Sequence, residues 1–244
     1  MLLTCVACLF AAAAAHAAND EHWLDIEGQI QYSYYTEDLR TLGNLAAQLD
    51  TKEPSEPLQD YYAALAYYRL ALAASQDAQR AASAIDSCSA HLDQVLQARA
   101  EWAEALALQG ACLGWLAELK ALRAPFAGPR SRTQLGRALK IEPHNPRVLL
   151  LDAWLNFEHP RAAGGAGKAQ ACREFAAAVS AFEVARPGEE RAPEWGPAEG
   201  YAYAGRCALE RGDAVAARDA LERALLIAPD FKAARRLLKQ ITAS

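Results

Sequence analysis

The chain has 244 residues, 52% of them hydrophobic and 23% charged, with a formal net charge of −5. It is too apolar for a disordered polypeptide and long enough for one sizeable core or a short solenoid. No run of Lys or Arg interleaves with aromatics, so nucleic acid and anionic membrane surfaces are not expected partners.

Residues 1–17 read as a secretory signal. Leu2 to Ala15 is an apolar core, and Ala15-His16-Ala17 fits the small-x-small rule for cleavage. That core is shorter than the roughly 20 residues a bilayer span needs. The reading places a mature chain, 18–244, in the periplasm, without a transmembrane segment. The competing readings are an ordinary buried N-terminal helix and a lipoprotein attached through Cys8.

Beyond the leader the pattern is helical throughout. Asp20 to Tyr35 is expected as the first helix, and Thr36 as the N-cap of a second ending at Leu49. Asp50 to Pro57 is a loop, and Pro57 suits the first turn of a third helix marked by Tyr61, Tyr62, Leu65, Tyr68 and Leu72. A fourth runs from Asp77 to Gln97 and a fifth from Arg99 to Leu122. Pro125 to Pro129 should break the pattern and leave a shorter helix ending at Ile141. Asn145 caps and Pro146 opens the next, Arg147 to Phe157, and Lys168 to Ala185 follows. Trp195-Gly196-Pro197 begins a helical hairpin turned at Gly212-Asp213 and stopped at Pro229. Asp230 then caps a final helix, 230–242, with one polar face suited to ending a stack in water. Ala and Leu dominate the interiors while Val and Ile are sparse, so the fold class is all-α, about eleven helices in antiparallel hairpins.

The hairpin from Ala198 to Phe231 carries small or aromatic residues at Tyr201, Gly205, Ala217, Leu221, Ala224 and Pro229. Gly205 and Ala217 should let two helices approach closely, and Leu221 and Ala224 should fill the seam. This stretch resembles a tetratricopeptide repeat. Gln134 to Leu155 is in the same phase at Leu135, Ala138, Pro143 and Ala153. Asn145-Pro146-Arg147, Pro160, Gly164-Gly165, Lys168-Ala169 and Trp195-Gly196 also resemble a group of bacterial exported repeat proteins. The resemblance implies an α-solenoid, 18–244, that binds by its concave face and carries no established catalytic role.

Four cysteines remain after the leader. Positions equidistant from a turn lie side by side in antiparallel helices, which pairs Cys88 with Cys112 and Cys172 with Cys207. Four free buried thiols are the alternative.

Little else suggests chemistry. Gly164-Gly165-Ala166-Gly167-Lys168 departs from a P-loop, with Ala162 at the required glycine, Ala169 after the lysine and a helix before it. No two histidines share a helix-face ligand spacing, so no metal or cofactor is expected. His144 and His159 are expected to bond helix-terminal carbonyls. With no Gly-x-Ser-x-Gly turn, an enzyme is not expected. By the solenoid geometry Tyr67, Arg69, Arg147, Trp154 and Arg206 are candidates for a groove that recognises a protein or peptide of the envelope. The alternative function is a helical-repeat subunit of a solute-capture system, enclosing a small ligand between helices.

Overall fold

The computed structural model describes residues 21–50, 56–161, 167–185 and 193–242; the expected leader lies outside them. The described residues are almost wholly helical: α1 (21–35), α2 (Leu39–Leu49), α3 (Pro57–Ala73), α4 (Ala78–Ala98), α5 (Ala103–Leu119), α6 (Ala124–Ile141), α7 (Pro146–Glu158), α8 (Lys168–Val184), α9 (Pro197–Glu210), α10 (Ala214–Ile227) and α11 (Lys232–Thr242). From α2 onward each packs on its sequence neighbours, the closest pairs being α3 with α4, α5 with α6, α7 with α8 and α9 with α10. This is the all-α, solenoid-like stack of hairpins expected.

The hairpins form two rows. α3, α5 and α7 bury residues nearly round their circumference, as helices apolar on every side do. α8 and α10 bury one narrow stripe each, Ala217, Leu221 and Ala224 in α10. The first set is therefore an inner row and the second an outer one.

Close approach between rows depends on glycine. A Cβ on Gly205 would stand 2.7 Å from Leu221 Cγ and 3.2 Å from the Ala217 carbonyl oxygen. The same device recurs in α5–α6, where a Cβ on Gly110 would meet Leu135 Cγ at 2.6 Å and the Ser131 oxygen at 3.2 Å. Gly196, the N-cap of α9, has φ +118°, and a side chain there would also strike Phe182.

Three boundaries differ from expectation. Thr36 does not cap α2; its hydroxyl donates back to the Tyr32 carbonyl, and Asp38 accepts from Arg40 N and Thr41 N. α6 is not broken by its prolines. Pro125 lies in the first turn, where amide groups lack intrahelical partners anyway, and Pro129 removes one early bond only. Asp230 precedes the start of α11 and pairs with Arg235 at 3.4 Å.

Disulfides join successive hairpins. Cys88–Cys112 ties α4 to α5 with Cα atoms 6.7 Å apart, and Cys172–Cys207 ties α8 to α9 at 5.6 Å. Both separations lie within the range the bond can span.

Candidate functional site

Among the described residues the inner row does not leave an open concave groove. α1 lies against α3 on one side and α9 and α11 on the other, so the two ends of the array meet. Gln31 is the link: its Oε1 accepts from Arg69 Nε at 2.9 Å, and its Nε2 donates to Glu199 Oε1 at 2.8 Å. Arg69 Nη2 pairs with the same Glu199 oxygen, and Tyr35 OH donates to the other at 2.9 Å. Towards α11, Tyr35 packs on Phe231 with centroids 4.6 Å apart, and Lys232 Nζ donates to the Thr36 carbonyl at 2.6 Å.

Around Arg69 the helices contribute aromatic rings. Its guanidinium lies 4.6 Å from the Tyr34 ring centre, 5.0 Å from Trp195 and 5.7 Å from Tyr68. Burial works against its charge, but Glu199 and the neighbouring phenols outweigh that and hold its pKa above the ordinary guanidinium value. Arg69 and Glu199 are each 3% exposed. Beside them is a cavity of about 20 Å³, lined also by Leu150, Leu151, Trp154 and Tyr203. That is room for one water-sized molecule. Trp154 carries a buried indole N–H with no hydrogen-bond acceptor.

A second buried cluster lies further along α1. Glu27 accepts from Tyr62 OH at 2.9 Å and from the Glu194 amide at 3.1 Å to each oxygen. Trp23, one turn earlier, stacks on Tyr62 at 5.5 Å, and Trp195 Nε1 donates to Tyr61 OH at 3.0 Å. Burial is the largest influence on Glu27 and pushes its carboxyl up to about 7, against the opposing pull of Tyr62, the Glu194 amide and Arg147.

Two of the five groove candidates, Arg69 and Trp154, meet at the cavity, but as buried residues and not as groove lining. Arg147 is held by Glu104, Nε to Oε1 2.7 Å, which Asn145 also contacts at 2.9 Å. Tyr67 turns towards α4: its OH donates to Asp50 at 3.1 Å and its ring stacks on His91. Arg206 pairs with Glu158 and covers the Phe157 ring at 4.6 Å. His159 contacts no terminal carbonyl; its Nδ1 lies 2.7 Å from Glu118 Oε2. Glu27, Gln31, Tyr34, Trp195, Glu199 and Tyr203 were not among the candidates. The signal that could have found three of them is polar residues on a helix face otherwise set by Trp23, Ile30 and Tyr34, with an acid in the first turn of α9.

Two larger channels flank α6. One of about 800 Å³ has a wall of Ala117, Ala121 and Gly128 with Arg132, Arg161 and Glu158 at its sides. The other, about 470 Å³, lies over Leu113 and Leu116 between Arg123 and Arg130. Phe126, at its edge, is 79% exposed, and Leu122, next in sequence to the lining Arg123, is 93% exposed.

No protein-family model matches the chain, and no curated protein matches it. Among solved structures it is similar to the HusA haemophore from Porphyromonas gingivalis. The two are 22% identical, the match covers 76% of this chain and 92% of that one, and the TM-score is 0.54. At that identity the likeness describes the fold. Among the described residues no helix is long and apolar enough to cross a membrane.

Proposed function

We propose that this chain is an exported, non-catalytic binding protein of tetratricopeptide-like hairpins that encloses a small ligand between its inner helices. The observation that carries this reading is the Arg69 cavity. Aromatic and aliphatic walls converge there with one buried cation and one buried acid, the composition of a small-molecule site. Arg69 suits a carboxylate or other anionic group, and Tyr34, Tyr68, Trp154 and Trp195 suit an apolar body. The shared fold with a protein named as a haemophore supports capture over catalysis. Export is supported by the leader-like residues 1–17 and by two disulfides, which persist in oxidising compartments. The repeated Gly205–Leu221 and Gly110–Leu135 seams support the tetratricopeptide likeness. Native mass spectrometry of the mature protein, purified from its own envelope, tests the reading. A bound small molecule lost on unfolding is expected; protein carrying no such molecule, under conditions that preserve weak complexes, counts against it.

A protein or peptide partner is the second reading. It is favoured by Phe126, exposed in the lining of the channel over Leu113 and Leu116, and by the exposed Leu122 near it in sequence. Pull-down from envelope extract, lost on Phe126→Asp, would support it.

A further inference from the structure

α1 contributes Tyr34 to the wall of the Arg69 cavity, and it is the element that joins the ends of the array. Its inward stripe, Trp23, Glu27, Ile30, Gln31 and Tyr34, mixes apolar residues with two buried polar ones. The cavity as it stands has room for a water-sized molecule only, so a larger ligand requires a wall to move, and α1 is the wall that bridges Arg69 and Glu199 from both sides.

We propose that α1 is a releasable clasp over this site, and that ionisation of Glu27 loosens it and admits a ligand with an apolar body and an anionic group. For the ligand, the proposal rests on the capture reading above; the release of α1 stands on its own geometry.

Glu27 is 5% exposed and sits where α1 crosses α3 and the segment leading into α9. The charged and titratable groups around it come from every neighbouring element. α3 presents the Tyr62 hydroxyl; the 193–196 segment presents the Glu194 amide, with the Glu194 carboxylate repelling. α7 presents Arg147, which attracts Glu27 and is itself held by Glu104 of α5. On α1, His22 is exposed with its ring against Trp23, and Asp25 pairs with Gln29. Burial outweighs these attractions, so docked Glu27 retains its proton up to about pH 7, whereas in water it would lose it near 4.5. Docking therefore binds a proton. Its advantage is full below the solvated value and is lost as pH rises through the docked one.

Hydrogen exchange on the full mature chain, corrected for intrinsic rates, reads the clasp directly. With carboxyl pKa values of 4.5 released and about 7 docked, opening of residues 21–35 should increase about 70-fold between pH 5 and pH 8. Residues 61–71 of α3 should remain more protected than α1 at both pH values, and Glu27→Gln should remove the pH dependence. Residues 21–35 exchanging only in step with α3 would overturn the proposal. So would a Glu27→Gln protein that retains the full dependence, which would place the titrating group elsewhere. Should that variant not fold, the wild-type comparison decides alone, since unchanged protection between pH 5 and pH 8 is fatal. The ligand half is probed with 8-anilinonaphthalene-1-sulfonate, an apolar anion. Saturable binding, faster at pH 8 than at pH 5, is expected. A clasp that opens while no dye binds would keep the Glu27 gate and sink both the ligand half and the capture reading.

Discussion

Arg69 and Glu199 stand 130 residues apart in sequence and share one buried ion pair, each with a side chain almost wholly removed from water. One comes from the second hairpin and the other from the first turn of α9. Their pairing reports that the array closes on itself, because an open solenoid would keep these repeats apart.

Removing one partner of such a pair leaves a buried charge without compensation. Arg69→Met is expected to lower stability by about 3–5 kcal/mol. The double variant Arg69→Met, Glu199→Met should lose less than the two single changes summed. Urea unfolding of the four proteins measures the coupling; additivity within error would place Arg69 outside a network.

Arg147→Ala should behave similarly. Glu104 is buried, one of its oxygens already lacks a partner, and burial raises its pKa despite Arg147. A loss of about 3 kcal/mol is expected, recovered in large part by Glu104→Gln in the same chain. A variant as stable as the parent would show that Asn145 alone suffices.

Acid–base titration of stability has a definite sign. Asp152 is pushed up to about 6 by burial and by Glu174, and Glu27 to about 7. In each case the folded chain binds a proton more tightly than the unfolded one, so unfolding free energy contributed by these groups falls as pH rises, between about 4 and 6 for Asp152 and 4.5 and 7 for Glu27. Asp152→Asn should flatten the lower part of the decline by about 2 kcal/mol at most. Denaturation midpoints at pH 4, 6 and 8 check this, and a decline unaltered by the substitution would exonerate Asp152.

Gly205→Ala should cost about 1–3 kcal/mol, because its methyl would need the space of Leu221. Adding Leu221→Ala makes room and should recover part of the steric cost. Thermal melts of the single and double variants separate crowding from lost burial.

Each disulfide closes a loop, 24 and 35 residues in separation, for which about 3 kcal/mol of stabilisation is expected. Tryptic nicking adds a topological check. Arg99 lies between Cys88 and Cys112, so a cut there should leave one band without reductant. Lys120 and Arg123 lie outside both covalent rings, so a cut at either should release two. Non-reducing gels of partially digested protein decide between these outcomes.

The local features were legible in the sequence because they are steric and near-neighbour. Gly205, Ala217 and Leu221 announced a close seam, Asn145-Pro146 announced a capped start, and equal distances from a turn announced the Cys88–Cys112 pairing. Leu135 and Ala138 were legible in the same phase, but Gly110, the partner of Leu135, was hidden because α5 and α6 are longer and Ser131 stands where Ala217 does. The site itself was not legible. Helical periodicity places Arg69 on a face of α3, but what that face meets depends on how far the array curls. That quantity is set by the sum of many helix contacts and appears in no short window. An open groove was expected on repeat geometry; Gln31, Tyr35 and Glu199 close it through contacts more than 160 residues apart.

Closure also orders events in time. α1 is made before the residues that receive it, Glu199, Phe231 and Lys232, which follow it by more than 160 residues. During synthesis α1 can therefore dock on α3 through Trp23 and Glu27 well before its distal partners exist, leaving its Gln31 and Tyr35 end without Glu199 and Phe231. Nucleation can proceed through the local hairpins from α3 onward, and closure waits for Glu199 and Lys232. A chain stalled or truncated before Glu199 would have its inner wall without its seal, with Arg69 lacking its buried counter-charge.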